Sequence, residues 1–97
     1  MICRRYQHKD FDTLLTWLDA RETPRFTRGR LSKRGWIVDG ISAAFLYKTD
    51  SDVGIIDGFV TNPKISLEVR LQACDLMIAA IHKEASKLGM MSLIAYT

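Results

Sequence analysis

Apolar and polar positions change period several times along this chain, and each change marks an element. Residues 2–6 alternate loosely and predict a first strand. Asp10 then stands as an N-cap before Phe11, Leu14, Leu15 and Leu18, whose i, i+3, i+4, i+7 spacing predicts a helix to about Ala20 with a core-facing stripe and Trp17 beside it. Pro24 stops that helix, and residues 23–35 predict a long mobile loop or a broken short helix. Two β-prone runs, residues 36–38 and 41–47, flank Asp39-Gly40 and predict a hairpin. After a polar turn at 48–52, Val53, Ile55, Ile56, Phe59 and Val60 leave little room for a solvated face, so residues 53–61 predict a central strand covered on both sides. Asn62-Pro63 ends it, and Ser66 caps a long helix. In that helix Leu67, Leu71, Cys74, Ile78, Ile81, Ala85 and Leu88 recur every three or four residues, and Gly89 closes it. An apolar last strand over residues 90–96 follows, with Tyr96 on it.

The resulting order is β, α, loop, β, β, β, α, β. The long helix joins two consecutive strands, which the right-handed crossover rule places side by side in parallel. The fold class is therefore α/β (α+β), a mixed sheet of about five strands with a long helix between strands four and five. A chain of 97 residues, 47% hydrophobic and 26% charged, makes one domain, 1–97. A domain this small buries only about two-thirds of its unfolded surface, so self-association or a ligand is a natural source of added stability.

Cysteine usage points to a reduced compartment, because Cys3 and Cys74 are the only two. No leader pattern or membrane span stands out, so the expected location is cytoplasmic. His8 and His82 lie far apart without a second His or Cys at ligand spacing, and no metal site is expected. The net charge of +3 is unevenly placed. Arg21, Arg25, Arg28, Arg30, Lys33 and Arg34 fall in one stretch, outside which acidic residues slightly outnumber basic ones. With only Phe26 and Trp36 as interleaved aromatics, that stretch argues weakly for nucleic acid.

The element order, with Asp57-Gly58-Phe59-Val60-Thr61-Asn62-Pro63 leading into a helix that ends Lys87-Leu88-Gly89, resembles the core of the GNAT N-acetyltransferase superfamily over nearly the whole chain. The resemblance implies a GNAT-like sheet lacking its C-terminal part. It also implies acetyl-CoA or another acyl-CoA as cofactor, with Phe59, Val60 and Thr61 along the fourth strand. Asp57 matches the position of a carboxylate base, suited to deprotonating an amine. The family's Arg/Gln-x-x-Gly-x-Gly/Ala pattern, whose glycines admit a phosphate to a helix N-terminus, falls on Glu68, Leu71 and Ala73. Only Ala73 conforms. Leu71 is expected to obstruct the cradle and Glu68 to repel the ligand, with Arg70 and Lys64 as compensating charges. The family's tyrosine acid, in a helix after the fifth strand, has no counterpart. Abbreviated proteins of this kind, with Asn-Pro before a glycine-poor helix, look like those encoded by tailed bacteriophages, which would place the chain in a host cytoplasm.

Two functions remain open at this stage. One is an acyl-CoA-binding domain with weak or vestigial N-acetyltransferase activity centred on Asp57. The other is a non-catalytic scaffold that binds and modulates another protein. The apolar strand from Met91 to Tyr96 is expected at a sheet edge, where it would pair with a second copy or a partner.

Overall fold

A computed structural model describes residues 1–95. Tyr96, expected on the last strand, lies outside them. The elements follow the predicted order: β1 (Cys3–Arg5), a 3-10 turn (His8–Asp10), α1 (Phe11–Ala20), a second 3-10 turn (Arg28–Arg30), β2 (Arg34–Val38), β3 (Ser42–Lys48), β4 (Val53–Thr61), α2 (Leu67–Lys87) and β5 (Ser92–Ala95). The strands lie in sequence order in one sheet, all antiparallel except β4 and β5, which run parallel across the α2 crossover.

The helices cover opposite faces. On one, Leu14, Trp17 and Leu18 of α1 pack with Ile37, Ala43, Phe45 and Val60. On the other, Ala73, Met77, Ile81 and Ala85 of α2 pack with Trp36, Val38, Ala44, Leu46 and Ile56. The most deeply covered strand is β3, the middle of the five. β4 is one place from the edge, and its Ile55 and Asp57 to Phe59 are half-buried, so the expected central, doubly covered strand is its neighbour.

Local chemistry accounts for most boundaries. The Val69 N–H donates to Ser66 Oγ at 3.4 Å, the expected cap of α2. Gly89 leaves the helix at φ 76°, where an L side chain is strained. Asp10 does not cap α1 with its side chain. Its buried carboxylate instead accepts two bonds from Arg4, at 2.9 and 2.8 Å, and one from the Gln7 N–H at 2.7 Å. A guanidinium within reach outcompetes backbone amides for a carboxylate, because the charged fork satisfies both oxygens at once. Arg4 also grips Asp39 in the β2–β3 turn at 3.0 and 2.7 Å.

Two further expectations change. The inner face of α2 is Ala73, Met77, Ile81 and Ala85, whereas Leu67 and Leu71 are 62% and 57% exposed. Small residues let the helix approach Trp36 and the sheet closely, so fit rather than hydrophobicity sets the helix rotation. The basic stretch is exposed along most of its length but follows an anchored path. Phe26 and Leu31 pack against the α1 cluster, and Tyr47 Oη and Ser32 Oγ bond the Arg30 and Leu46 carbonyls at 3.1 and 2.5 Å.

Candidate functional site

The site grows from an irregularity in β4. Ala43 pairs with Val60, but Phe45 pairs with Asp57, so Gly58 and Phe59 together oppose the single residue Ala44. This is a β-bulge, and Gly58 takes φ 71° to make it. Gly58 also has no room for a side chain, since a Cβ there would stand 2.9 Å from Cδ1 of the fully buried Phe45. The extra residue inverts the alternation of the strand. Ile56 faces α2 while Val60, four residues on, faces α1. Asp57, opposite Phe45, is carried on the α1 side beneath the basic strap.

Two adjoining cavities run along this half of β4. One, of about 210 Å³, has Asp57, Gly58, Phe26, Arg30 and Leu31 among its walls. The other, of about 400 Å³ and mainly apolar, has Arg21, Thr61 and Cys74. Leu18, Thr23, Phe59 and Val60 belong to both, so the two form one groove. Pairing between β4 and β5 extends only to Ile56 with Ala95 among the described residues, so β4 from Asp57 onward has no described strand beside it on that side. Arg21, just past α1, closes the far end by donating to the Thr61 carbonyl at 3.1 Å and to Thr61 Oγ1 at 2.5 Å.

The structure therefore brings Asp57, Phe59, Val60 and Thr61 into one groove and leaves Arg70, Leu71 and Ala73 of α2 out of it. Ala73 is fully buried between helix and sheet. Leu71, two residues away and so about 200° around the helix, is on the outer side. Arg70 is half-buried, and its Nε is enclosed without a hydrogen-bond partner. The Lys64 N–H donates to Asn62 Oδ1 at 3.0 Å, and the Asn62 amide bonds the Gly40 carbonyl at 3.0 Å, which ties the β4–α2 loop to the β2–β3 turn.

Three groups around the groove do not stand out in the sequence. Arg21 puts a cation at its mouth; along the chain it is one of six clustered basic residues. Cys74, expected to be a packing residue, is half-buried on the groove wall, and burial pushes its thiol up from the usual range. Tyr47 shares the α1 face with Phe45, two residues back, and is diagonal to Asp57 across the β3–β4 pairing. Burial first, and then the charge of Asp57, hold the Tyr47 phenol above its ordinary value and keep it protonated at neutral pH. Strand alternation alone could have indicated Tyr47. The other two needed the fold.

A carboxylate on an apolar wall can accept a proton from an amine, while the Tyr47 hydroxyl is engaged in donating to the Arg30 carbonyl at 3.1 Å and lines neither cavity. Among the described residues no three His, Cys, Asp or Glu side chains gather closely enough to hold a metal. Among the same residues no helix is long and apolar enough to cross a membrane.

No protein-family model matches the sequence, and no curated protein matches it. A solved structure does: Rv2747 from Mycobacterium tuberculosis in complex with CoA and NLQ superposes with a TM-score of 0.79 at 14% identity, covering 100% of this chain and 64% of that one. At that identity the shared property is the backbone path. The mixed five-stranded sheet with a long helix between β4 and β5 is a GNAT-like fold.

Proposed function

We propose that this chain is an acyl-CoA-binding GNAT-like domain with weak or vestigial N-acetyltransferase activity toward an amine held near Asp57. The observation that carries the reading is the groove along β4, where the bulge at Gly58 gathers Asp57, Phe59, Val60 and Thr61 with Arg21 and Cys74 on the same walls. Backbone groups there suit a pantetheine-like arm, which can bond to a strand as an added strand would. An acyl-CoA, when bound, supplies the activated acyl group. The chain's own residues orient the amine, accept its proton at Asp57 and exclude water with Phe26, Leu31 and Phe59. Arg21, Lys64 and Arg70 are the cations available to phosphates. The fit is partial, because α2 offers Leu71 and Glu68 where backbone amides should stand clear, so affinity is weak.

Exposed apolar side chains at the edge strand favour a second reading. Met91, just before β5, and Ile94, on it, are 79% and 46% exposed, and Leu67 and Leu71 form a separate exposed pair one turn apart at the start of α2. Apolar positions left open on an edge strand suit a protein partner better than a phosphate. In that reading the fold is a non-catalytic scaffold that modulates another protein, with a second copy or a host target of a phage protein as the occupant.

Calorimetry and thermal shift with acetyl-CoA separate the two. At ten times Kd the ligand adds about 1.4 kcal/mol, which raises the midpoint of a domain this size by roughly 6–11 °C. Thr23→Trp, an exposed position on both cavity walls, should abolish that shift. Asp57→Asn should keep it while lowering any turnover by about 100-fold or more. If neither the unmodified chain nor Leu71→Gly binds, the acyl-CoA reading is wrong and the scaffold replaces it.

A further inference from the structure

A further cavity of about 500 Å³ lies apart from the groove beside β4. It opens on the α1 face between the end of β1 and the basic strap, with Tyr6, His8, Leu31 and Ser32 as its body and Arg28 and Lys33 bringing its charge. Leu31 is the wall it shares with the Asp57 cavity. The two cavities sit three strands apart along one row of the sheet: the Tyr6 N–H bonds the Gly35 carbonyl at 2.9 Å, Gly35 pairs with Phe45, and Phe45 pairs with Asp57. At about 4.8 Å per strand this places them on the order of 14 Å apart.

Several arginines elsewhere in the fold are engaged: Arg4 with Asp10 and Asp39, Arg5 with Glu84, Arg25 with Asp19, and Arg21 with Thr61, whereas Arg30 and Arg70 have no ion pair among the described residues. Around this cavity the cations are unpaired and share one opening: among the described residues Arg28 and Lys33 have no carboxylate within ion-pair distance, and no acidic residue lines the walls. The carboxylates whose charge reaches Tyr6 are Asp10, which is held by Arg4, and Asp12, on the exposed side of α1. The Arg28 guanidinium is also fixed in place, stacked 4.5 Å over the Phe11 ring and bonded through one nitrogen to the His8 carbonyl at 2.8 Å. A guanidinium held on an aromatic face with its remaining donors free is preorganised for a planar or tetrahedral anion. The Tyr6 ring, half-buried and packed edge-on to Phe45 at 4.8 Å, supplies an apolar floor.

We infer that this cavity is a second ligand site, separate from the groove beside β4, for a small organic anion whose phosphate or carboxylate meets Arg28 and Lys33 while an apolar or aromatic body rests on Tyr6 and Leu31. Its volume is that of small-molecule sites, which span about 300–1,000 Å³, and its one-sided charge selects an anion. The site does not depend on the acyl-CoA reading.

The test is an amide chemical-shift titration with phenyl phosphate, benzoate and phenol as probes. The site predicts saturable shifts centred on Tyr6, His8, Arg28, Gly29 and Lys33 with either anion and none with phenol, the tighter anion naming the headgroup. Arg28→Gln should weaken phenyl phosphate about tenfold. Lys33→Gln, at an exposed position that cannot disturb folding, should weaken it severalfold. Arg25→Gln removes the same charge from the same strap but outside the cavity, and should change affinity less than twofold. Phenol binding as well as phenyl phosphate, shifts spread over the surface, or equal weakening by Arg25→Gln and Lys33→Gln would each overturn the inference.

Discussion

Replacing Gly58 with alanine tests whether the bulge in β4 is held by sterics or merely tolerated. Two costs add at this position. A residue with a Cβ at φ 71° loses about 1–2 kcal/mol relative to glycine. The new methyl would also stand 2.9 Å from Phe45 Cδ1, and forcing an extra carbon into a filled core costs about 1–3 kcal/mol. The ring has little room to retreat, because its other edge lies over Gly35, where a Cβ would be 2.4 Å away, and Tyr6 packs on it. Stiffening of the unfolded chain offsets about 0.4–1 kcal/mol, so Gly58→Ala should lose about 1–5 kcal/mol, with about 3 kcal/mol as the central value. Gly40, at φ 75° in the β2–β3 turn, has nothing within 4 Å of where a methyl would stand, so Gly40→Ala carries the conformational cost alone and should lose about 1 kcal/mol. Urea midpoints by circular dichroism give both numbers. Phe45→Leu in the Gly58→Ala background should recover at least about 1 kcal/mol of the expected sum, since contacting sites couple. Equal losses at Gly58 and Gly40, with no coupling to Phe45, would refute the argument.

Other consequences are as direct. Met77→Ala should cost about 2–5 kcal/mol because the side chain is fully buried, whereas Leu71→Ala, on the exposed side of the same helix, should stay within about 0.5 kcal/mol by the same denaturation assay. Similar losses at both would restore the helix rotation read from sequence. The Arg4 guanidinium holds the Asp10 carboxyl below its usual range. A depressed folded value means the stabilisation is complete above the ordinary carboxylate range and is lost as pH falls through the lowered one. The unmodified chain should therefore lose stability steeply as pH drops below about 4. Arg4→Gln should be less stable at pH 7 by about 1.5–3 kcal/mol and show a flatter acid limb; parallel curves would remove Arg4 as the cause. If β5 pairs with a second copy, Ile94→Lys should convert a dimer to a monomer in light scattering, and a monomeric parent at high concentration would exclude that pairing.

Sequence carries the element order well where local chemistry decides it. The Ser66 cap, Gly89 and the Asn62-Pro63 break sit at residues whose own backbone or side chain imposes the boundary, so α2 and β4 are placed closely. Rotation of α2 is not legible, because Leu67 and Leu71 outweigh Ala73 and Ala85 in any hydrophobic count, yet the alanines are what close approach to Trp36 requires. Asp10 misleads because a cap and an ion pair use the same carboxylate, and only the fold brings Arg4 to it. For the groove, Asp57 to Thr61 form a contiguous run that sequence finds, but Arg21 and Cys74 reach it from other elements. In a strand that also holds Gly54, which makes no bulge, the Gly58 bulge that gathers them has no signature beyond its one glycine.

That glycine makes β4 two half-strands spliced out of phase. Before it, Ile56 serves the α2 layer; after it, Val60, also even-numbered, serves the α1 layer. Any period-two reading that runs unbroken from Val53 to Thr61 assigns one end to the wrong layer, which is why the strand looks covered on both sides in the sequence. The splice also has a mechanical meaning. Thr61 leads through Asn62 to the start of α2, so restoring a regular alternation would shorten the path by one residue and pull on the Asn62 tie to Gly40. The surplus residue is thus slack that lets the strand end in register with the turn beside it while the helix beyond is free to seat by its alanines.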